Sequence, residues 1–148
     1  MYQRILVPLE SEGGAEAHLW HAATLAAEEG AELALLRVIT VVPSGEYVLK
    51  RIQIEEGSSG AKRKGAAEDY VSRLTDQLRE EGVDVQGEVI VSDQPEDEAI
   101  VARAVEMDSD LIVLPNQRRS LFSRWLQGNV TVKVQRRSDI PVLMVREQ

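Results

Sequence analysis

Basic and amide side chains are concentrated after a short apolar segment that ends near residue 114. The linker that follows carries Arg118, Arg119 and Arg124, and Gly128 and Asn129 precede a predicted helix. In open α/β folds, a loop that leads from a strand to a helix N-terminus is a common phosphate site. The spacing therefore predicts a site for phosphate or for an acidic partner. The alternative is a solvated linker, because exposed charged residues usually need no partner.

The same linker also contains Ser120, Phe122 and Trp125. Aromatic residues and arginine are enriched at interaction surfaces, so this combination indicates a contact surface. The alternative is that the two aromatic side chains anchor the linker onto the last helix. Asn129 is a good helix N-cap and Gly128 permits unusual backbone angles, so both also have a purely structural explanation.

Acidic and histidine side chains near the N-terminus are the other candidates. Glu10 follows the first predicted strand and could recognise an amine of a small ligand, or it could be a solvated turn carboxylate next to a helix N-terminus. His18 and His21 lie three residues apart on one helical face. Without cysteine or a third ligand they predict surface or boundary histidines rather than a metal site.

The sequence contains no motif that predicts catalysis. Gly-x-Ser-x-Gly, the phosphate-binding Gly-x4-Gly-Lys and a cysteine nucleophile are all missing. Glu10 and Asp93 fit a receiver-type phosphoacceptor loosely, but Val145-Arg146-Glu147 lacks the lysine that such a domain requires. No catalytic base and metal set can be named for a nucleotide hydrolase. We therefore expect no catalytic residues and no resident metal.

Composition limits the class of protein. The 148 residues suit one domain, residues 1–148, with an aliphatic core, since there are one Phe, two Trp and three Tyr. The net charge of −8 argues against broad binding of nucleic acid or anionic membranes. No apolar run reaches the length of a membrane helix and nothing N-terminal resembles a signal peptide, so a cytoplasmic location is expected.

Apolar periodicity predicts five strands that alternate with four helices. The strands cover residues 4–9, 32–42, 83–91, 111–114 and 140–145, and the helices cover residues 15–29, 61–81, from Pro95 at position N1, and 129–137. Ile100, Val101, Ala104 and Val105 are expected to face inward. Strict alternation over residues 83–91 indicates a strand near a sheet edge. The segment from Pro43 to Gly60 is interpreted as a mobile loop or a simple spacer.

This order of elements predicts an α/β fold with a single doubly wound parallel sheet. Ligands of such folds bind at the carboxyl ends of the strands, where the strand order reverses. If the first and fourth strands flank that point, the site consists of residues 8–10 and 115–130.

The chain resembles the universal stress protein family over essentially its whole length, and three stretches carry the resemblance. ILVPLE resembles the family's opening strand, ELALLRV its second strand, and SDLIVLP with GNVTVKVQRRSDIPVLMV its closing block. The resemblance implies an adenine nucleotide alpha hydrolase-like fold with strand order 3-2-1-4-5. It also implies a homodimer formed through the last strand, from Ile140 to Val145.

The family's Gly-x2-Gly-x9-Gly-Ser/Thr motif, which holds ATP, is altered in this chain. Aligned on Gly128, the first two glycines become Pro115 and Arg118, and the Ser/Thr becomes Asn129. Proline offers no amide to a phosphate, and arginine adds bulk where the backbone should approach. Glu10 stands where the family has Asp. By resemblance, the residues in the nucleotide positions are Pro8, Leu9, Glu10, Val38, Leu114, Asn116, Arg118, Gly128, Asn129 and Val130.

We therefore predict a dimeric stress-response domain that binds nucleotide weakly or not at all and acts through a protein partner. The alternative is a regulatory ATP- or AMP-binding protein that uses Glu10, Arg118, Gly128 and Asn129.

Overall fold

The computed structural model describes residues 1–10, 16–40, 59–116, 125 and 129–146, with side chains in the second helix described from residue 62. Five strands alternate with four helices along the chain. They are β1 (Arg4–Leu9), α1 (Ala17–Glu29), β2 (Glu32–Thr40), α2 (Ser59–Glu80), β3 (Val85–Ser92), α3 (Glu96–Glu106), β4 (Leu111–Asn116), α4 (Val130–Arg137) and β5 (Val142–Arg146). The strands form one parallel sheet in the order β3-β2-β1-β4-β5, which confirms the predicted fold and strand order.

The hydrophobic core consists of one apolar layer on each face of the sheet. Side chains of β1 alternate between the layers: Ile5, Val7 and Leu9 belong to the first, and Leu6 belongs to the second. The first layer is closed by α1 and α2, and the second by α3 and α4. Because both faces of the central strands are covered, those strands are continuously apolar, as in other parallel sheets.

The predicted inward faces of the first two helices are confirmed. The predicted core residues are all buried, namely Leu19, Ala22, Ala23 and Ala26 on α1, and Ala67, Tyr70, Val71, Leu74 and Leu78 on α2. These positions recur every three or four residues, so each set forms one stripe that faces the sheet. Glycine at position 30 takes a left-handed conformation, with φ of 68°, and ends α1 as expected.

Two expectations for α3 are wrong. Val105 is 61% exposed, because it lies one position beyond the stripe that Ile100 and Ala104 present to the sheet. Pro95 has a ψ of 148° and is the N-cap rather than the first helical residue, so the helix begins one residue later at Glu96. The fixed φ of proline suits either position, which explains why the sequence does not separate them.

The expected end of the fourth strand at residue 114 is also wrong, since β4 continues through Pro115 and Asn116. Pro115 pairs with Val145 and Asn116 with Arg146 on β5. On its other side, β4 pairs with β1 only at Leu111 and Ile112. Proline is compatible with a strand at positions where no hydrogen bond of the ladder needs its amide. Because β4 pairs with β1 only over its first residues, the end of β4 offers such a position.

The two outer strands differ in how their free edges are covered. On β3, the carbonyl of Val85 points away from β2 and accepts a hydrogen bond of 3.1 Å from Arg79 Nε of α2. Glu88 of the same strand forms an ion pair with Arg103 of α3, and this bond raises the pKa of Arg103. On β5, four consecutive residues, Val142, Leu143, Met144 and Val145, are all half-buried. The edge at β3 therefore carries polar cover and the edge at β5 is apolar.

Val91, the last apolar residue of the alternating stretch 83–91, is 52% exposed. An outer strand has only one neighbouring strand, so its end is covered less than a central strand. Of the segment from Pro43 to Gly60, residues 43–58 lie outside the described residues. Its last two residues, Ser59 and Gly60, begin α2. No helix in the described ranges is long and apolar enough to cross a membrane.

Candidate functional site

The strand order reverses between β1 and β4, and this is where an open α/β sheet forms a ligand crevice. The two strands pair only at Ile5 with Leu111 and at Leu6 with Ile112. Beyond these pairs their carboxyl ends separate. We call the space between these ends, from Pro8 to Glu10 on one side and at Pro115 and Asn116 on the other, the switch crevice.

Trp125 lies at the switch crevice and is only 1% exposed. Its ring belongs to the second apolar layer, which joins β2, α3, β4 and α4. The other members of that layer are Leu6, Leu36, Val38, Ala99, Ile100, Ala104, Ile112, Leu114, Val130 and Val134. Trp125 is therefore part of the core. The sequence allowed either a contact surface or an anchor for the linker, and for this residue the anchor is correct. Phe122 lies outside the described residues.

Both N–H groups of Trp125 donate to carboxylates. Its backbone N–H donates to Glu10 Oε1 over 3.1 Å, and its indole Nε1 donates to Glu96 Oε2. Glu10 is half-buried just after β1, and Glu96 is buried in the first turn of α3. A carboxylate in the first turn of a helix is stabilised by the helix dipole, and a charged acceptor strengthens the hydrogen bond. These two bonds fix the indole at the carboxyl ends of the strands.

The space that remains beside Trp125 is small. A cavity of about 70 Å³ lies between the indole, β4, α4 and β5. Its lining residues are Pro115, Asn116, Trp125, Asn129, Thr131, Val132 and Met144. Pockets for small molecules and cofactors usually measure about 300–1,000 Å³. The cavity beside Trp125 is therefore much smaller than a pocket of that kind.

An ion pair joins two of the helices around the crevice, α3 and α4. Arg137 Nε in the last turn of α4 lies 2.7 Å from Asp97 Oδ2 in the first turn of α3. Within the described ranges, no donor is aimed at that oxygen well enough to form a hydrogen bond, so the contact is an ion pair. Because Asp97 is almost fully buried, the pair fixes α4 relative to α3 more firmly than an exposed pair would.

The residues predicted for the site fall into three groups. Val38, Leu114 and Val130 contribute buried side chains to the layer that contains Trp125. Asn116 and Asn129 line the small cavity. Leu9 faces the opposite layer, away from the crevice, because alternate residues of a strand point to opposite faces.

Pro8 and Glu10 contribute polar atoms instead. The Pro8 carbonyl bonds to His18, and the Glu10 carboxylate bonds to the backbone of Trp125. Glu10 is thus not the solvated turn carboxylate that was the alternative. The candidates Arg118 and Gly128 lie outside the described residues, as do Arg119, Ser120 and Arg124.

Asn129 is the N-cap of α4, as expected, but it does not cap the helix with its side chain. Its backbone takes the left-handed conformation, with φ of 55° and ψ of 31°, and its carbonyl accepts the first bond of the helix from Lys133 N over 2.9 Å. Asparagine tolerates this conformation better than most residues. Asn129 therefore contributes through its backbone shape and turns the chain into α4.

His18 differs from the surface or boundary histidine that was expected. It is 1% exposed, whereas His21 is exposed as expected. Its Nε2 lies 2.9 Å from the Pro8 carbonyl, which fixes the ring against the end of β1. Burial lowers the pKa of His18, while the bond to Pro8 and the charge of Glu10 partly offset that effect. No group of three potential metal ligands occurs within the described parts of the chain.

Sequence reasoning missed Glu96 as a hydrogen-bond acceptor and His18 as a buried residue. Glu96 gave no signal, since an acid after a helix-opening proline is common on solvated helices. His18 follows Pro8 by ten residues, and only the packing of α1 on β1 brings the ring to that carbonyl. Trp125 had one usable signal, because a lone large aromatic in a chain with few aromatic residues is rarely left in water.

A family model described as the universal stress protein family matches residues 1–146 of the chain. No curated protein gives a significant match. Solved structures with the same fold are numerous. The hypothetical protein MJ0577 is 27% identical, with a TM-score of 0.76, and the match covers 100% of this chain and 98% of that one.

Two further structures have lower identity. UspA from Lactobacillus plantarum is 21% identical with a TM-score of 0.76, and the match covers 98% of each chain. The universal stress protein from Archaeoglobus fulgidus, solved in complex with dAMP, is 22% identical with a TM-score of 0.70, over 97% of each chain. At this level of identity, these two structures establish likeness of fold.

Proposed function

Because the chain belongs to the universal stress protein family, we propose that it is a stress-response domain whose switch crevice holds Trp125 in place of a nucleotide. It acts through a protein partner and not through tightly bound ATP or AMP. We also propose a cytoplasmic location and no binding of nucleic acid or membrane, for which the net charge of −8 is the support.

The observation that carries this proposal is the position of Trp125. The buried indole belongs to the same apolar layer as Val38, Leu114 and Val130, three of the positions that family resemblance assigns to a nucleotide. A nucleotide at those positions has to displace the ring and break the hydrogen bond from its indole N–H to Glu96. Both costs would be subtracted from the free energy of binding.

The altered nucleotide motif supports the same conclusion independently. Pro115 lies in β4 and lacks the amide that a glycine would offer to a phosphate. Asn129 replaces the family's Ser/Thr, and its side chain lies at the small cavity. The Archaeoglobus protein that binds dAMP shares the fold, so the fold itself does not exclude nucleotide. We expect these side chains to make this chain a weaker nucleotide binder than that protein.

Calorimetric titration of the purified protein with Mg·ATP and with AMP tests the proposal. We expect no saturable heat at millimolar nucleotide, and no nucleotide released when the freshly purified protein is denatured. Low-micromolar binding or a co-purified nucleotide would overturn the proposal in favour of a regulatory ATP- or AMP-binding protein.

A Trp125→Ala variant is the informative second arm of the titration. Removal of the indole takes away the donor to Glu96 and opens the crevice, while the backbone N–H of residue 125 can still donate to Glu10, so AMP should bind this variant more tightly than the natural protein. Trp20→Ala on α1 is the matched control, because it also removes an indole but lies in the other layer. Equal AMP affinity in both variants would mean that Trp125 is not what limits binding.

We further propose that the protein forms a homodimer through β5, the segment from Ile140 to Val145. Four half-buried apolar residues in a row form the free edge of the sheet at β5. Apolar edge strands are usually paired or covered, since their unpaired N–H and C=O groups attract another strand. The opposite edge, at β3, carries Arg79 and Glu88 and is a poorer surface for association.

A lysine at β5 should disrupt this dimer. Light scattering at high micromolar concentration should give twice the chain mass for the natural protein and the mass of one chain for Val142→Lys. Val91→Lys places the same charge near the end of the opposite outer strand, where the side chain is already 52% exposed, and should leave the dimer intact. A monomeric natural protein, or dissociation by Val91→Lys, would contradict assembly through β5.

A further inference from the structure

A cavity of about 430 Å³ lies at the end of the sheet opposite the switch crevice. Its floor is formed by the first residues of β1, β2 and β3, and its wall by the last turn of α3 and the turn that follows, as far as Ser109. We call this cavity the amino-end cleft. Its lining lies wholly within the described residues. Its volume falls in the range of pockets that hold small molecules, unlike the cavity of about 70 Å³ beside Trp125.

Ala34 leaves the cleft open above the sheet. It lies between Leu6 of β1 and Gln86 of β3 in the parallel register. Alternate residues of a strand share a face, and the position of Leu36 in the second apolar layer places residue 34 on the face that α3 covers. Ala34 and Met107 are both partly buried against that layer. The cleft therefore has an apolar base that suits a short aliphatic group.

Ser109 is a buried polar residue in the wall of the cleft, with 8% of its surface exposed. Its backbone N–H donates to the Ala104 carbonyl over 2.9 Å, but its hydroxyl has no hydrogen-bond partner within the described ranges. The hydroxyl oxygen is not completely enclosed, so it is reached from the cleft that Ser109 lines. Buried polar side chains are nearly always hydrogen-bonded, so this hydroxyl takes its partner from whatever fills the cleft.

Arg103 lines the cleft, but carboxylates already occupy its guanidinium group. Its Nε and Nη2 donate to the two carboxylate oxygens of Glu88, the second over 3.1 Å, and its Nη1 donates to Glu106 over 3.0 Å. These are charge-assisted bonds, which are stronger than neutral ones. An anion in the cleft would have to compete with them, so Arg103 does not make the cleft an anion site.

Carboxylates outnumber cations around the cleft. Arg4 Nε lies 3.5 Å from Glu32 Oε2, and Arg4 Nη1 lies 3.6 Å from Asp108 Oδ2. Both distances are longer than the range of about 2.7–3.2 Å for an N–H···O hydrogen bond. With Glu88 and Glu106, four carboxylates therefore face two guanidinium groups. The last turn of α3 adds the negative end of the helix dipole, so the local field favours a cation.

We propose that the amino-end cleft binds a small organic cation, namely a primary amine on a short aliphatic chain. The ammonium group donates to the Glu32 carboxylate and to the Ser109 hydroxyl, and the chain lies over Ala34. A bare metal ion does not fit, since no group of three potential metal ligands occurs in the part of the chain that the structure describes. This site does not depend on the proposed function, because the cleft shares no residue with the switch crevice.

A groove of about 420 Å³ between α2 and β3 is the matched comparison. Its buried hydroxyl, on Thr75, already donates to the Val71 carbonyl over 2.7 Å, and Arg79 donates to the Val85 carbonyl. Asp76 is exposed and also lines the groove. The groove thus resembles the cleft in size and carries a carboxylate, but its buried hydroxyl has a partner. We expect no amine site there.

NMR titration of the isotope-labelled protein with n-butylamine at neutral pH tests the proposal. n-Butanol and butyrate, which have the same chain length without the positive charge, are titrated in parallel. We expect butylamine to shift the backbone amides of Ala34, Gln86 and Ser109 in a saturable way, half-complete at about 1–10 mM. An equal response to butanol, saturation by butyrate, or butylamine shifts that avoid these amides would overturn the amine site.

Four substitutions locate the contacts. Glu32→Gln removes the charge that faces the ammonium group and should weaken butylamine binding about tenfold, whereas Ser109→Ala removes a neutral partner and should weaken it about threefold. Ala34→Leu fills the base of the cleft and should abolish saturation. Asp76→Asn removes a carboxylate from the groove and should leave the affinity unchanged.

Equal weakening by Glu32→Gln and Asp76→Asn would show that butylamine responds only to the overall negative charge, and would overturn the site. Unchanged affinity in both Ser109→Ala and Ala34→Leu would also overturn it. If Ala34→Leu does not fold, the comparison of Glu32→Gln with Asp76→Asn decides, because both positions are exposed and tolerate an amide.

Discussion

Trp125→Ala should lower the free energy of unfolding by about 3–5 kcal/mol, the usual cost when a large buried aromatic side chain is truncated. The ring is 1% exposed and belongs to the apolar layer formed by residues of β1, β2, α3, β4 and α4, so its removal leaves a cavity in the core. The loss also removes the indole donor to Glu96. Urea denaturation followed by circular dichroism measures the change.

Two further variants separate packing from hydrogen bonding. Trp125→Phe keeps most of the ring and loses the indole N–H, so it should cost about 1–3 kcal/mol, the range for a buried polar group that loses its partner. Trp20→Ala, which removes a half-buried indole from α1, should cost less than Trp125→Ala. A loss for Trp125→Ala no larger than that for Trp20→Ala would show that Trp125 is not part of the core in solution.

Gly87→Ala should destabilise the protein by about 1–3 kcal/mol, because it overpacks the contact between α2 and β3. A Cβ atom at Gly87 would lie 2.4 Å from Val71 Cγ1 and 2.6 Å from Thr75 Oγ1. Both neighbours are β-branched and stiff in a helix, and the Thr75 hydroxyl is already bonded to the Val71 carbonyl. The helix must therefore move away from the strand. Thermal or urea denaturation reports the loss.

The same substitution at Gly65 should raise the stability of the protein, not lower it. Gly65 lies on the exposed face of α2, and a Cβ atom there would have no neighbour within 4 Å among the described residues. Gly65→Ala should therefore stabilise the protein by about 0.5–1 kcal/mol. Val71→Ala combined with Gly87→Ala should recover part of the lost stability, because the nearer clashing atom is gone. If Gly87→Ala is neutral while Gly65→Ala stabilises, the close approach of α2 to β3 is wrong.

Much of the fold could be predicted from sequence because its signals are local and periodic. The stripe on α2 and the continuous apolar run of β1 each specify one element without reference to the rest of the chain. Val105 and Pro95 show the limit of that method. Each differs from prediction by one position, and only the packing of the helix against a particular sheet decides which position faces inward or begins the helix.

The candidate site was harder to predict because its contacts join residues that are distant in sequence. Glu10 and Trp125 are 115 residues apart, and Glu96 and Trp125 are 29 apart. Neither pair repeats with any period, so neither leaves a pattern in the sequence. The hydrogen bond of the buried His18 likewise involves a backbone carbonyl, which any residue at position 8 would supply. Proximity of this kind arises only when the strand order brings β1 beside β4.

The unequal edges of the sheet set a limit on assembly. In the proposed dimer, two copies of β5 related by a two-fold axis run antiparallel and join two five-stranded sheets into one of ten strands. Both ends of that continuous sheet are then β3, where Arg79 holds the outward carbonyl of Val85 and Arg103 holds Glu88. The first half of β3 thus offers a third chain a more polar edge than β5 does. Growth should therefore stop at two copies, and the polar cover on β3 protects the protein against open-ended fibres.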